Sequence, residues 1–119
     1  MEQDPEREAR IANEAVVDAY GSEELALSWY YYLQNRITFP FKARCLTARK
    51  SSPLKAGELV EVLEMADEAD CMSQMLVIVR FAGRTMGVPL VQLEPLAADA
   101  TMLMAIGDWQ YWVARGYTF

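Results

Sequence analysis

The sequence contains no histidine. That absence removes the side chain that most often serves as a general base near neutral pH, its part in the common serine and cysteine nucleophile pairs, and the commonest transition-metal ligand. Cysteine is scarce too, with only Cys45 and Cys71. Two soft ligands are too few for a structural zinc site, and their wide separation fits reduced thiols better than a disulfide framework. Positive charge is in the minority, 11 basic residues against 17 acidic ones, for a net charge of −6. The lysines and arginines form no strong basic stripe, so a phosphate backbone would be repelled and nucleic acid is a poor partner. No apolar run approaches the length of a bilayer crossing, and the start, MEQDPEREAR, lacks the basic and apolar regions of a signal peptide. The expectation is a cytoplasmic protein with no membrane role. No paired acid and base and no activated nucleophile emerges, so an enzyme is the least favoured class.

What is present is an ordinary globular composition, 53% apolar and 24% charged over 119 residues, which fits one domain spanning 1–119. Residues 6–20 place Ile11, Ala12, Ala15, Val16 and Ala19 on one helical face. Gly21 suits a helix end, and Ser22 can cap a second helix whose first turn carries Glu23 and Glu24. In that helix Leu25, Trp29, Tyr32, Leu33 and Ile37 recur at three- and four-residue steps, with Ala26 and Tyr30 widening the stripe and Tyr31 pointing elsewhere. The aromatic run SWYYYLQNRITFPF therefore reads mainly as a core face, and Phe39-Pro40-Phe41 as its exit.

After residue 41 the period shortens to two. Phe41, Ala43 and Cys45 share one strand face, and Val60, Val62 and Glu64 share another. QMLVIVRFA is a fully apolar strand, GRT a tight turn into MGVPL, and VQLEPL a short coil. This order predicts a small SH3-like antiparallel β-barrel over about 41–96. Two N-terminal helices over about 6–37 and one C-terminal helix over about 100–115 flank it, giving the α+β class. Asp99 is placed to cap the last helix, Met102, Ile106, Trp109 and Val113 form its stripe, and Gly116 ends it. The lead-in EQDPERE reads as charged and frayed.

Carboxylates are the only chemistry-bearing groups in number. EMADEADCMSQM joins two strands and puts Glu64, Asp67, Glu68 and Asp70 in one short loop. Calcium takes six to eight oxygen ligands and suits acidic, flexible loops, yet the EF-hand spacing and its central glycine are missing. On spacing alone a calcium loop and a solvated acidic loop weigh equally. Asp18 and Asp108 flank helical stripes, where an isolated carboxylate more often bonds a tyrosine or a backbone amide than a metal. Cys45 reads as a packed apolar group, and the neighbouring carboxylates would dull Cys71.

VVDAY, WYYYLQNRITFPFKARC, SPLKAGELVEVLEM, VPLVQLEPL and DWQYWVARGYTF, in that order, resemble the cyanobacterial calcium-binding protein family from about residue 11 to the C-terminus. The resemblance implies a bacterial protein that binds Ca2+ through surface carboxylates in a buffering or sequestering role. Asp67, Glu68 and Asp70 are the leading ligands; Glu64, Asn35 and Asp18 are secondary. The chain is less acidic than that family's pattern after the tyrosines, where it carries Gln34, Asn35, Arg36 and Thr38, so weaker binding is expected. The alternative is an SH3-like module without metal that binds a protein partner through the barrel and exposed aromatics such as Tyr31, Tyr111 and Trp112.

Overall fold

Asp4 and Pro5 begin the first helix, because the Asp4 carboxylate accepts from the Arg7 amide at 3.1 Å and proline needs no hydrogen-bond partner in a first turn. The lead-in is therefore capped helix from Pro5, not frayed chain. In this computed structural model residues 3–50 and 52–119 are described; Glu2 of that lead-in and Ser51 of the expected turn lie outside them. Helix α1 (Pro5–Arg10) runs into a π-helical turn, Ile11–Ala15, closed by the Val16 amide on the Ile11 carbonyl at 3.0 Å. That wider turn buries Ile11 and Ala15 but leaves Ala12 exposed. The helix expected to reach residue 20 stops here, since β-branched Val16 and Val17 are followed by Asp18 with φ of 59°.

Helix α2 (Ser22–Arg36) is preceded by Gly21, which occupies the cap position with no side-chain hydrogen bond. Ser22 is thus inside the helix, and Glu23 and Glu24 answer its N-terminal dipole. Its stripe follows the expectation except at the first turn: Ala26, Trp29, Tyr30, Tyr32, Leu33 and Ile37 are buried, whereas Leu25 is half-buried. Ile37 turns extended, and the Phe39–Pro40 peptide is cis.

The sheet comprises β1 (Phe41–Cys45), β2 (Leu59–Met65), β3 (Leu76–Phe81), β4 (Arg84–Pro89) and β5 (Leu93–Leu96), antiparallel in the order β4-β3-β2-β1-β5. The expected barrel is corrected to an open sheet, because among the described residues each end strand has one hydrogen-bonded neighbour and β4 does not pair with β5. A 3₁₀ turn, Leu90–Gln92, joins those two strands, and the segment 91–96 read as coil is the end of that turn followed by β5. The β3–β4 hairpin turns at Ala82 and Gly83, both with positive φ (52° and 76°), which gives the twist a two-residue hairpin needs.

One bulge changes the site. Val62 pairs with Val79 and Glu64 with Ile78, so Leu63 is an extra residue. Beyond it the alternation flips: Met65 takes the core side and Glu64 is exposed, whereas unbroken alternation had put Glu64 with Val60 and Val62.

Helix α3 (Ala100–Ala114) starts at Asp99, whose carboxylate accepts from the Met102 amide at 2.8 Å. It ends in a Schellman motif, with Gly116 (φ 85°) bonding the Val113 carbonyl and Tyr117 the Trp112 carbonyl. The buried faces of the helices and of one side of the sheet share one core, centred on Trp29, Trp109 and Leu33. Among the described residues no helix is long and apolar enough to cross a membrane.

Candidate metal centre

The loop between β2 and β3 is shaped by a 3₁₀ turn, Glu68–Cys71, with Asp67 in the position before it. The Asp70 amide closes the turn on the Asp67 carbonyl at 2.9 Å. Asp67, Glu68 and Asp70 all stand exposed, and none of them pairs with a lysine or arginine among the described residues. The turn is tied down at its apolar end instead. Cys71 is fully buried, its sulfur accepting from the Leu76 amide at 3.4 Å. Burial raises its thiol pKa first, and the charges of Asp70 and Asp67 add to that.

Helix α2 lies against this turn through two of its tyrosines. The Tyr30 hydroxyl donates to the Ala66 carbonyl at 2.8 Å, just before the turn. The Tyr31 hydroxyl donates to Oε1 of Glu68. Burial raises the Tyr30 phenol first, with the negative charges of Glu68 and Asp67 contributing. Tyr31 is raised chiefly by its hydrogen bond to Glu68. Asn35 is exposed one helical turn beyond Tyr31, on the same side of α2. Glu64 is exposed at the end of β2 by virtue of the bulge.

Asp18 stands apart. It occupies the left-handed turn before α2, exposed, and no hydrogen bond or ion pair joins it to the 67–70 turn among the described residues. Nor is there a preformed cage: among the described residues no three His, Cys, Asp or Glu side chains are gathered closely enough to hold an ion. The donor chemistry nevertheless fits a hard cation, since the accessible groups are carboxylate oxygens and both thiols are buried.

Asp108 resolves as a structural group. It is fully buried, accepts two hydrogen bonds from Arg10 and one from the Tyr32 hydroxyl at 2.8 Å, and lies 3.4 Å from the Arg7 guanidinium. Its tyrosine partner was a reading open to the sequence; Arg7 and Arg10 were not, because 98 residues separate Arg10 from it. The exposed-aromatic surface of the alternative reading is corrected in two of its three members. Tyr111 is 6% and Trp112 8% exposed, Tyr111 accepting from the Asp4 amide and Trp112 stacking on Trp109. Only Tyr31 of the three is exposed, at 45%.

A histidine-free, all-oxygen set of accessible donors on an α+β scaffold defines a small acidic protein suited to hard cations. A family model described as calcium binding, Calci_bind_CcbP, matches residues 9–113, and the chain belongs to that calcium-binding family. No curated protein sequence matches it. The crystal structure of Anabaena CcbP is similar with a TM-score of 0.89 and 38% identity, covering 100% of this chain and 98% of that one. A calcium binding protein solved in its calcium-binding form gives a TM-score of 0.87 and 37% identity, covering 98% of this chain and 96% of the other.

Proposed function

We propose that the chain binds calcium through the exposed carboxylates of the 67–70 turn and serves as a cytoplasmic calcium buffer, acting by binding and not by catalysis. Membership of the calcium-binding family over residues 9–113 carries the reading of the ion. The turn is favoured as its seat because three carboxylates without cationic partners among the described residues fall within four residues there. Asp67, Glu68 and Asp70 would supply oxygen ligands, Glu64 and Asn35 flank them, and water would complete a shell of about six to eight oxygens. Asp18 is the weakest of the proposed ligands, standing in a separate turn. Because the described residues hold no preformed cage, the turn must adjust on binding, which favours modest affinity and rapid release. Both suit a buffer. The strand order and the 3₁₀ turn before β5 support reading the sheet as an opened SH3-like arrangement that presents this loop.

Calorimetric titration with calcium tests the reading. Heat that persists in excess magnesium, and is lost when Asp67→Asn, Glu68→Gln and Asp70→Asn are combined, is the expected result. A triple variant that binds as the parent does would remove the turn from the site. Binding abolished by modest salt would reduce the interaction to diffuse screening.

A further inference from the structure

Tyr31 is partly exposed and lies off the buried stripe of α2, so core packing does not account for its hydroxyl. That hydroxyl lies on a carboxylate of the turn just proposed to take the ion. We propose that Tyr31 is a positioning residue for calcium, its phenol holding Oε1 of Glu68 so that the other carboxylate oxygen is presented to the ion. The inference rests on the reading that the 67–70 turn binds calcium. A glutamate on a surface turn otherwise samples many rotamers, and ordering it on binding costs affinity. Outer partners that hydrogen-bond a ligating carboxylate reduce that cost and are felt in metal affinity.

The donor is itself well placed. The Tyr31 ring meets the Tyr30 ring edge-on, with centroids 5.4 Å apart and planes at 86°. Tyr30 is fixed to the backbone at Ala66, two residues before Glu68. On the far side of the turn Cys71 is buried and bonded to Leu76. Glu68 thus lies between two anchored points, and Tyr31 bridges it to the helix.

The Tyr31→Phe variant keeps the ring and removes only the hydroxyl. Calorimetry is expected to show calcium bound about three- to tenfold more weakly, the range for one lost hydrogen bond. A structural role alone would not pass a second readout, a double-mutant cycle with Glu68→Ala. If the phenol acts through Oε1 of Glu68, Tyr31→Phe has nothing left to weaken once that carboxylate is gone. The loss on Tyr31→Phe is therefore expected in the parent and absent from the Glu68→Ala background. If Tyr31→Phe binds calcium as the parent does, or weakens binding equally in the Glu68→Ala background, while Glu68→Gln still weakens binding, the positioning role is overturned and the site stands. If Glu68→Gln has no effect on binding either, the site reading itself fails.

Discussion

Arg10 and Asp108 meet through two hydrogen bonds, Nε to Oδ2 at 2.8 Å and a terminal guanidinium nitrogen to Oδ1 at 2.6 Å. The pair ties the N-terminal helix to α3, and the Tyr32 hydroxyl on the same carboxylate brings in α2. The hydrogen bond to Asp108 is the main reason the Arg10 guanidinium is raised above its ordinary pKa. Helix α1 buries no residue of its own, so its hold on the body is chiefly polar. Asp108→Asn replaces an acceptor by an amide facing cationic donors and leaves charge uncompensated in the interior. Stability is expected to fall by about 3–5 kcal/mol. Urea denaturation measures this, and a change of only a few tenths would show that the helices are held by other means.

The same carboxylate sets an alkaline limit. Burial first, and then the hydrogen bond to Asp108, push the Tyr32 phenol up to about 12 from 10.0. A phenol with a raised folded pKa holds its proton more tightly in the native state than in the unfolded chain. Its contribution is therefore intact below pH 10 and is lost as the pH climbs toward 12. The loss is on the order of 2 kcal/mol across that window. Denaturation midpoints followed upward from neutral pH should drop there. The Tyr32→Phe variant, less stable at neutral pH, should show a flatter alkaline profile.

Trp29 and Tyr31 separate the two roles of the aromatic run. Trp29 is fully buried and meets Tyr32 edge-on at 5.6 Å and Trp109 at 5.1 Å. Trp29→Ala should cost about 3–5 kcal/mol through lost contacts and the cavity left behind. Tyr31→Ala, at a partly exposed position, should cost well under half as much. Equal losses from the two variants would contradict the burial pattern.

Asn35→Asp adds a carboxylate one helical turn beyond Tyr31. The new charge should tighten calcium binding by about two- to fivefold at low salt. It also places a negative group in the last turn of α2, costing about 0.3–1 kcal/mol of helix stability. Calorimetry and thermal unfolding together check both signs; tighter binding with no salt dependence would point to a different origin.

Periodicity made much of the scaffold legible, and the reason lies in burial. Trp29, Leu33 and Ile37 recur because a helix has one wet side, and Phe41, Ala43 and Cys45 alternate because a strand has two faces. The bulge at Leu63 left no mark, since an extra residue disturbs pairing without disturbing composition. Closure of the sheet was equally invisible, being decided by whether β4 and β5 pair, which the alternation within each strand does not record. At the candidate site the acidic turn could be read directly from Asp67, Glu68 and Asp70. Tyr31 as partner of Glu68 could not, although its place off the apolar stripe was the available clue. Arg10 on Asp108 required the fold itself.

Tyr30, Tyr31 and Tyr32 end on the Ala66 carbonyl, on Glu68 and on Asp108. Successive positions on a helix point about 100° apart, so three neighbours reach three surroundings only at one rotation of the rod. Inserting a single amino acid between Trp29 and Tyr30 would swing every hydroxyl to the wrong address while leaving the composition of the segment almost untouched. The spacing along this short stretch is thus constrained more tightly than any one of its side chains.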